Sequence, residues 1–140
     1  MRYFYIILSY LLMPFIVGRL LWKSIKSPNY LDRFQERFGF FQQKVDACIW
    51  VHAVSVGETV ATAPLIKACL QQYPNLPIVL TSTTPTGYAR AKALFNQEVI
   101  RGYMPYDLPG SMKRFLNRIH QKLIILMETE LWPILLRLSL

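Results

Sequence analysis

The chain opens with sixteen uncharged residues, Tyr3 to Gly18, between Arg2 and Arg19. Carried on to Trp22, the stretch is twenty residues long with Arg19 as its only charge. A helix of about 20 mostly apolar residues matches the hydrocarbon thickness of a bilayer. The pattern therefore predicts a membrane-anchor helix over residues 1–22. Arg19 would snorkel toward the headgroups, and Pro14 would bend the helix rather than break it. A signal peptide fits poorly, because bulky Leu20, Leu21 and Trp22 stand where small residues should mark a cleavage site. A helix lying in the interface and a buried helix of a soluble protein are the remaining readings of the same run.

Residues 23–46 read as a basic, aromatic connector. From residue 47 onward the pattern alternates between short apolar runs and helical spacing. Ala47–Ala53 reads as a strand. Glu58–Gln72 reads as a helix, with Ala61, Leu65, Ala68 and Gln72 along one face; Pro64 should kink it or delay its regular part. Pro77–Ser82 is a second strand. Thr84 followed by Pro85 is a hydroxyl cap with proline in the first turn, and that helix should reach Phe95. Glu98–Met104 is a weaker third strand, Pro109–Ile119 a basic amphipathic helix and Lys122–Met127 the clearest strand. A last helix should begin at Thr129, with Pro133 in its first turn. Four such alternations predict an α/β domain over 47–140, a Rossmann-like parallel sheet with helices on both faces. Ligands of such sheets bind at the carboxyl ends of the strands. That edge would carry Ser55–Glu58, Thr81–Gly87, Pro105–Asp107 and Glu128–Glu130.

Charge sharpens this picture only near the membrane. The net charge is +8, and residues 1–46 and 47–140 contribute +4 each. Arg19, Lys23, Lys26, Arg33 and Arg37 follow the apolar run, which marks the cytoplasmic side and suits anionic headgroups. No nucleic-acid-binding motif accompanies the positive charge, so no nucleic-acid partner is expected. Cys48 and Cys69 have neither metal-ligand spacing nor a disulfide framework and should be buried free thiols. The six glycines are scattered. They form neither a dinucleotide fingerprint nor a phosphate loop, which argues against a dehydrogenase or a P-loop enzyme. No metal and no cofactor is expected.

The candidate chemistry lies on the sheet edge. Ser55-Val-Gly-Glu58 has the spacing of a capping box, and that structural reading is the stronger one on spacing alone. The functional reading makes Glu58 a base at a helix N-terminus, where the dipole favours a carboxylate, with Gly57 letting a ligand approach the backbone. Both readings hold together only if one carboxylate oxygen stays free. Glu128 follows five apolar residues, so partial burial and a need for a partner are expected. Glu130 could simply complement the dipole of the helix it starts. The hydroxyls of Thr81–Gly87 could hold a sugar or an anion at a helix start, though a well-capped turn explains them too. His52 reads as a packed side chain and His120 as a solvated loop residue.

His52–Glu58, Thr84–Gly87, Pro105-Tyr-Asp-Leu-Pro109 and Met127-Glu-Thr-Glu-Leu-Trp-Pro133, in this order and spacing, resemble the transferases of 3-deoxy-D-manno-octulosonic acid (Kdo). The connector residues Tyr30, Arg33, Glu36, Arg37, Gly39 and Phe40 resemble the same family, and the likeness covers nearly all 140 residues. It implies the N-terminal lobe of a GT-B glycosyltransferase behind a membrane-anchor helix. Implied substrates are CMP-Kdo as donor and a lipid A precursor as acceptor, at the cytoplasmic face of a bacterial inner membrane. Glu58 matches the family's general base, and Glu128 a second acidic position linked to transition-state stabilisation. Ser55, Gly57, Thr84, Thr86, Gly87 and Glu130 are expected to bind substrate. The donor lobe of such an enzyme would lie beyond this chain, so the chain alone is expected to be inactive. A non-catalytic module that binds the lipid A precursor at the membrane, or a gene remnant, is the alternative.

Overall fold

The computed structural model describes residues 2–26 and 33–127. Helix α1 spans Arg2–Lys26 with Pro14 inside it. By length and composition it could cross a membrane, and only 6% of that apolar window is buried. It touches the rest of the protein at a few points. Ile6 packs against the core, and the Tyr5 hydroxyl donates to Asp107 Oδ2 at 2.8 Å.

Beyond it lies a parallel sheet. Strands β1 (Cys48–His52), β2 (Ile78–Ser82), β3 (Ile100–Tyr103) and β4 (Gln121–Leu126) pair in the order β3-β2-β1-β4. Helices α2 (Val56–Gln72), α3 (Pro85–Phe95) and α4 (Pro109–Ile119) connect them. The inner strands β1 and β2 are buried along their whole length, as strands covered on both faces should be. On one face Cys48, Trp50 and Val79 meet Met112, Phe115 and Ile119 of α4. On the other, Ile49, Val51, Ile78 and Leu80 meet Ile66 of α2 and Ala91 and Phe95 of α3. The elements therefore stand where the sequence puts them, to within a residue or two. The helix expected beyond Thr129 lies outside the described residues.

Two expectations fail. The face of α2 expected to pack, Ala61, Leu65, Ala68 and Gln72, is exposed. Thr59, Thr62 and Ile66 are buried instead. The threonines can go inside because each hydroxyl is bonded locally: Thr59 donates to Ser55 O at 2.8 Å and Thr62 to Thr59 O at 2.6 Å. Such bonds remove most of the cost of burying a hydroxyl. Pro64 sits within α2, on its exposed side.

The second concerns the connector. From residue 33 it is part of the lobe, and Phe41 and Val45 belong to the core. Arg33 and Arg37 do not reach out to headgroups. In a short 3-10 turn, Phe34–Phe38, Glu36 is 1% exposed and Arg37 3%. Glu36 Oε1 accepts from Arg33 at 2.7–2.8 Å, and Oε2 accepts the Tyr103 N–H at 3.0 Å. Burial pushes the Glu36 pKa up, opposed by the Tyr103 N–H, Arg33 and Arg37. Arg37 donates to Thr83 O at 3.0 Å and lies over the Tyr103 ring, 4.5 Å from its centroid. A carboxylate three residues on pairs Arg33, and a carbonyl and an aromatic face take up part of the Arg37 guanidinium.

Both thiols are free; Cys48 is buried and Cys69 half-buried. The Cys48 thiol donates to Ile119 O at 3.2 Å, and burial pushes its pKa up to about 12. His52 is fully buried, its Nδ1 2.9 Å from Thr81 Oγ1. Burial drives its pKa from 6.5 down to about 4, with the Thr81 backbone bond opposing. An unfolded chain takes up the proton near pH 6.5, while the folded one holds out to about pH 4. His52 should therefore make stability fall as pH drops across that window, by about 3 kcal/mol in total. Urea unfolding between pH 7 and 4.5 should show the slope, and His52→Gln should lose it.

Candidate active site

The chain leaves β1 at His52, runs out through β2 and β3, and returns on the other side of β1 as β4. The reversal puts the crevice of this sheet between the carboxyl ends of β1 and β4, where ligands of such folds bind. The main-chain pairing reaches one residue past β4, with the Met127 N–H on His52 O at 2.9 Å. Glu128 and Glu130 lie outside the described residues.

At the end of β1 the loop turns sharply into α2. Ser55 is the N-cap, in extended conformation, and its Oγ accepts the Glu58 N–H at 3.5 Å. In return Glu58 Oε2 accepts a backbone N–H at 2.6 Å, from Val54 rather than from the cap residue itself. The expected capping box is thus formed with its return bond moved one residue back. Oε1 of Glu58 has no hydrogen-bond partner among the described residues, and the side chain is half-buried. One oxygen is fixed and the other open, which is the condition under which a cap can also be a base.

Gly57 lies on the exposed side of this turn, and a Cβ built on it meets nothing within 4 Å. Packing among the described residues gives no reason for glycine there; close approach of a ligand would give one.

The turn after β2 is committed inward. Thr84 caps α3, its Oγ1 accepting the Gly87 N–H at 3.1 Å and donating to Val54 O at 3.4 Å. Thr86, exposed, donates to Thr84 Oγ1 at 3.3 Å. Gly87 is buried, and a Cβ there would stand 3.1 Å from Thr84 Oγ1 and 3.4 Å from Val54 O. Of the hydroxyls expected at a binding edge, that of Thr84 has its bonds inside the protein, while Thr86 faces out.

The loop after β3 meets α1. Asp107 accepts the Tyr5 hydroxyl, and a mostly apolar cavity of about 260 Å³ runs between Leu8, Leu12 and Ile16 of the helix and Tyr106 and Leu108 of the loop. Sequence reasoning missed this neighbour of the edge, and it missed Arg37. The signal for Arg37 was a Glu-Arg pair set among four phenylalanines, Phe34, Phe38, Phe40 and Phe41.

A family model described as 3-deoxy-D-manno-octulosonic-acid transferase (kdotransferase) matches residues 32–139. The chain belongs to the Kdo transferase family. A 3-deoxy-D-manno-octulosonic acid transferase of Haemophilus influenzae is 44% identical over 137 residues, covering 94% of this chain and 32% of the relative. One of Bordetella pertussis is 47% identical over 95 residues, 64% of this chain and 22% of the relative. A probable mitochondrial one of Arabidopsis thaliana is 34% identical over 128 residues, 90% and 29%. The chain thus spans about a third of the length of the Haemophilus and Arabidopsis relatives. Its β3-β2-β1-β4 sheet is the Rossmann-like N-terminal lobe of the GT-B fold of these transferases.

Proposed function

We propose that this lobe binds the acceptor of an inverting transferase that moves Kdo from CMP-Kdo to a lipid A precursor, in lipopolysaccharide synthesis at the cytoplasmic face of the inner membrane. The supporting observation is Glu58: a carboxylate at the sheet's switch point with one oxygen pinned by the Val54 N–H and the other open.

In the reaction we infer, Oε1 of Glu58 accepts the proton of an acceptor hydroxyl as that oxygen attacks the anomeric carbon of Kdo. The new C–O bond forms on the face opposite CMP, the bond to the CMP phosphate breaks, and its electron pair leaves with CMP. The configuration inverts in this single displacement. Pinning Oε2 leaves the side chain few orientations, so the open oxygen is already aimed at the hydroxyl; positioned general bases contribute about 10²–10⁴-fold. Gly57 lets the sugar lie close to the backbone, and Ser55 and Thr86 flank it. Glu128, next in sequence after Met127, is assigned to stabilising the transition state, and Glu130 to acceptor binding. No metal ion or cofactor enters this scheme. Helix α1, which would hold the lobe at the membrane, and the apolar cavity beside it suit a lipid acceptor.

In the family's architecture most of the nucleotide site belongs to a second lobe. Bringing donor and acceptor together can be worth about 7–11 kcal/mol, so the chain alone should give no useful turnover. The test is transfer from CMP-Kdo to a lipid A precursor in detergent or membranes, read by mass spectrometry. It is run on this chain and on a protein of the relatives' full length that carries it. Transfer by the longer protein only is the expected result. No transfer by either rejects the transferase reading, and acceptor binding without transfer would favour a binding module. Full turnover by this chain rejects the divided site.

A further inference from the structure

We propose that Arg37 and Thr84 are positioning residues for Glu58, acting through both polar groups of Val54. The proposal rests on the reading of Glu58 as the base. The contacts form one continuous line. Arg37 donates to Thr83 O at 3.0 Å. The next residue, Thr84, donates to Val54 O at 3.4 Å. The Val54 N–H donates to Glu58 Oε2 at 2.6 Å. Gly87 leaves room for the line: a Cβ there would stand 3.1 Å from the Thr84 Oγ1 that makes the middle contact and reach van der Waals contact with Val54 O.

The far end of the line is rigid. The Arg37 guanidinium is stacked on Tyr103, whose N–H is held by Glu36 and whose ring stacks on Tyr88 with centroids 5.1 Å apart. The Arg37 carbonyl accepts the Tyr106 N–H at 2.8 Å. Taking a guanidinium out of water is expensive, and Arg37 Nε is buried with no hydrogen-bond partner among the described residues. Stability alone is a poor reason to keep such a group. Fixing the turn after β2 against the loop after β1 is a better one, since small misplacements of reacting groups cost orders of magnitude in rate. Thr84 is thereby given a role other than ligand: it holds the acceptor of the Val54 peptide, and its hydroxyl does not face the sugar.

The experiment separates donation from capping in the full-length enzyme. Thr84→Asp keeps an acceptor for the Gly87 N–H but cannot donate to Val54 O; Thr84→Ser keeps both. We expect Thr84→Asp to lower kcat about tenfold or more, with KM for the acceptor within about twofold, and Thr84→Ser to restore kcat. A ligand role would instead raise KM. If Thr84→Asp does not fold, Thr84→Val, which loses both cap and donor, is judged by kcat against KM, and the Val54 amide measurement carries the separation. The second readout needs no turnover. In this chain in detergent, the Val54 amide resonance should follow titration of the Glu58 carboxylate. That response should vanish in Glu58→Gln and shrink in Thr84→Asp and in Arg37→Lys. Unchanged kcat together with an unchanged Val54 response in folded Thr84→Asp overturns the proposal. Full turnover by Glu58→Gln overturns the base assignment instead, leaving the amide measurement to judge the contact line by itself.

Discussion

On the proposed function, Glu58→Gln in a protein of the relatives' full length that carries this chain should lower transfer by about 10²–10⁴-fold while the protein stays folded. The substitution is chosen for what it preserves. A glutamine carbonyl oxygen can still accept the Val54 N–H, the 2.6 Å bond of the carboxylate, so the start of α2 keeps its closure. Its other atom is an amide nitrogen, which donates and cannot take a proton. Capping and proton acceptance are thereby separated on one side chain. Ser55→Ala is the counterpart. It removes the acceptor of a long, 3.5 Å bond from the Glu58 N–H. It should cost about 0.5–1 kcal/mol of stability, the low end for an N-cap, and much less rate than Glu58→Gln. Single-turnover transfer and thermal unfolding on both variants check the pair. Near-normal turnover by folded Glu58→Gln would remove Glu58 from the chemistry.

Gly39→Ala should destabilise the lobe by several kcal/mol, enough to unfold a domain of ordinary stability. Gly39 ends the 3-10 turn in the left-handed region, at φ 85°, with its N–H on Glu36 O at 3.0 Å. An L side chain there carries a strain of about 1–2 kcal/mol. Contact makes the site stricter still. A Cβ would fall 2.0 Å from the carbonyl oxygen of Ser111 and 2.9 Å from its carbon. These are backbone atoms in the first turns of α4, so relief means moving that helix off the sheet, and with it Met112 and Phe115 from the core. Gly57→Ala is the control, because the space around it is open; its urea midpoint should lie close to the wild-type one. Urea denaturation of the three proteins decides the matter. A Gly39→Ala midpoint close to wild type would show that α4 can yield.

How legible this protein was depended on how local each feature is. Strands and caps are short-range, and so they were read well. Thr84 and Pro85 announce α3, and Ser55 and Glu58 announce the start of α2. The packed face of α2 was misread because Thr59 and Thr62 look polar; their inward turn depends on hydrogen bonds that hydropathy does not register. Arg37 was misread for the opposite reason. A basic residue shortly after an apolar helix looks like a headgroup contact, and its actual partners, Thr83 and Tyr103, are 46 and 66 positions away in the chain. In the candidate site, the pairing of Ser55 with Glu58 could be foreseen. The displacement of the return bond onto Val54 could not, nor could the Thr84 hydroxyl behind it, since both depend on how two loops meet in space.

One consequence of the strand order concerns synthesis. The contacts that hold the Glu58 carboxylate, and those that hold Arg37 behind them, come from residues 36 to 106. A growing chain emerges from its N-terminal side, so β1 and β2 are made before β4. The whole support of the proposed proton acceptor is thus synthesised before any residue past Met127 is added.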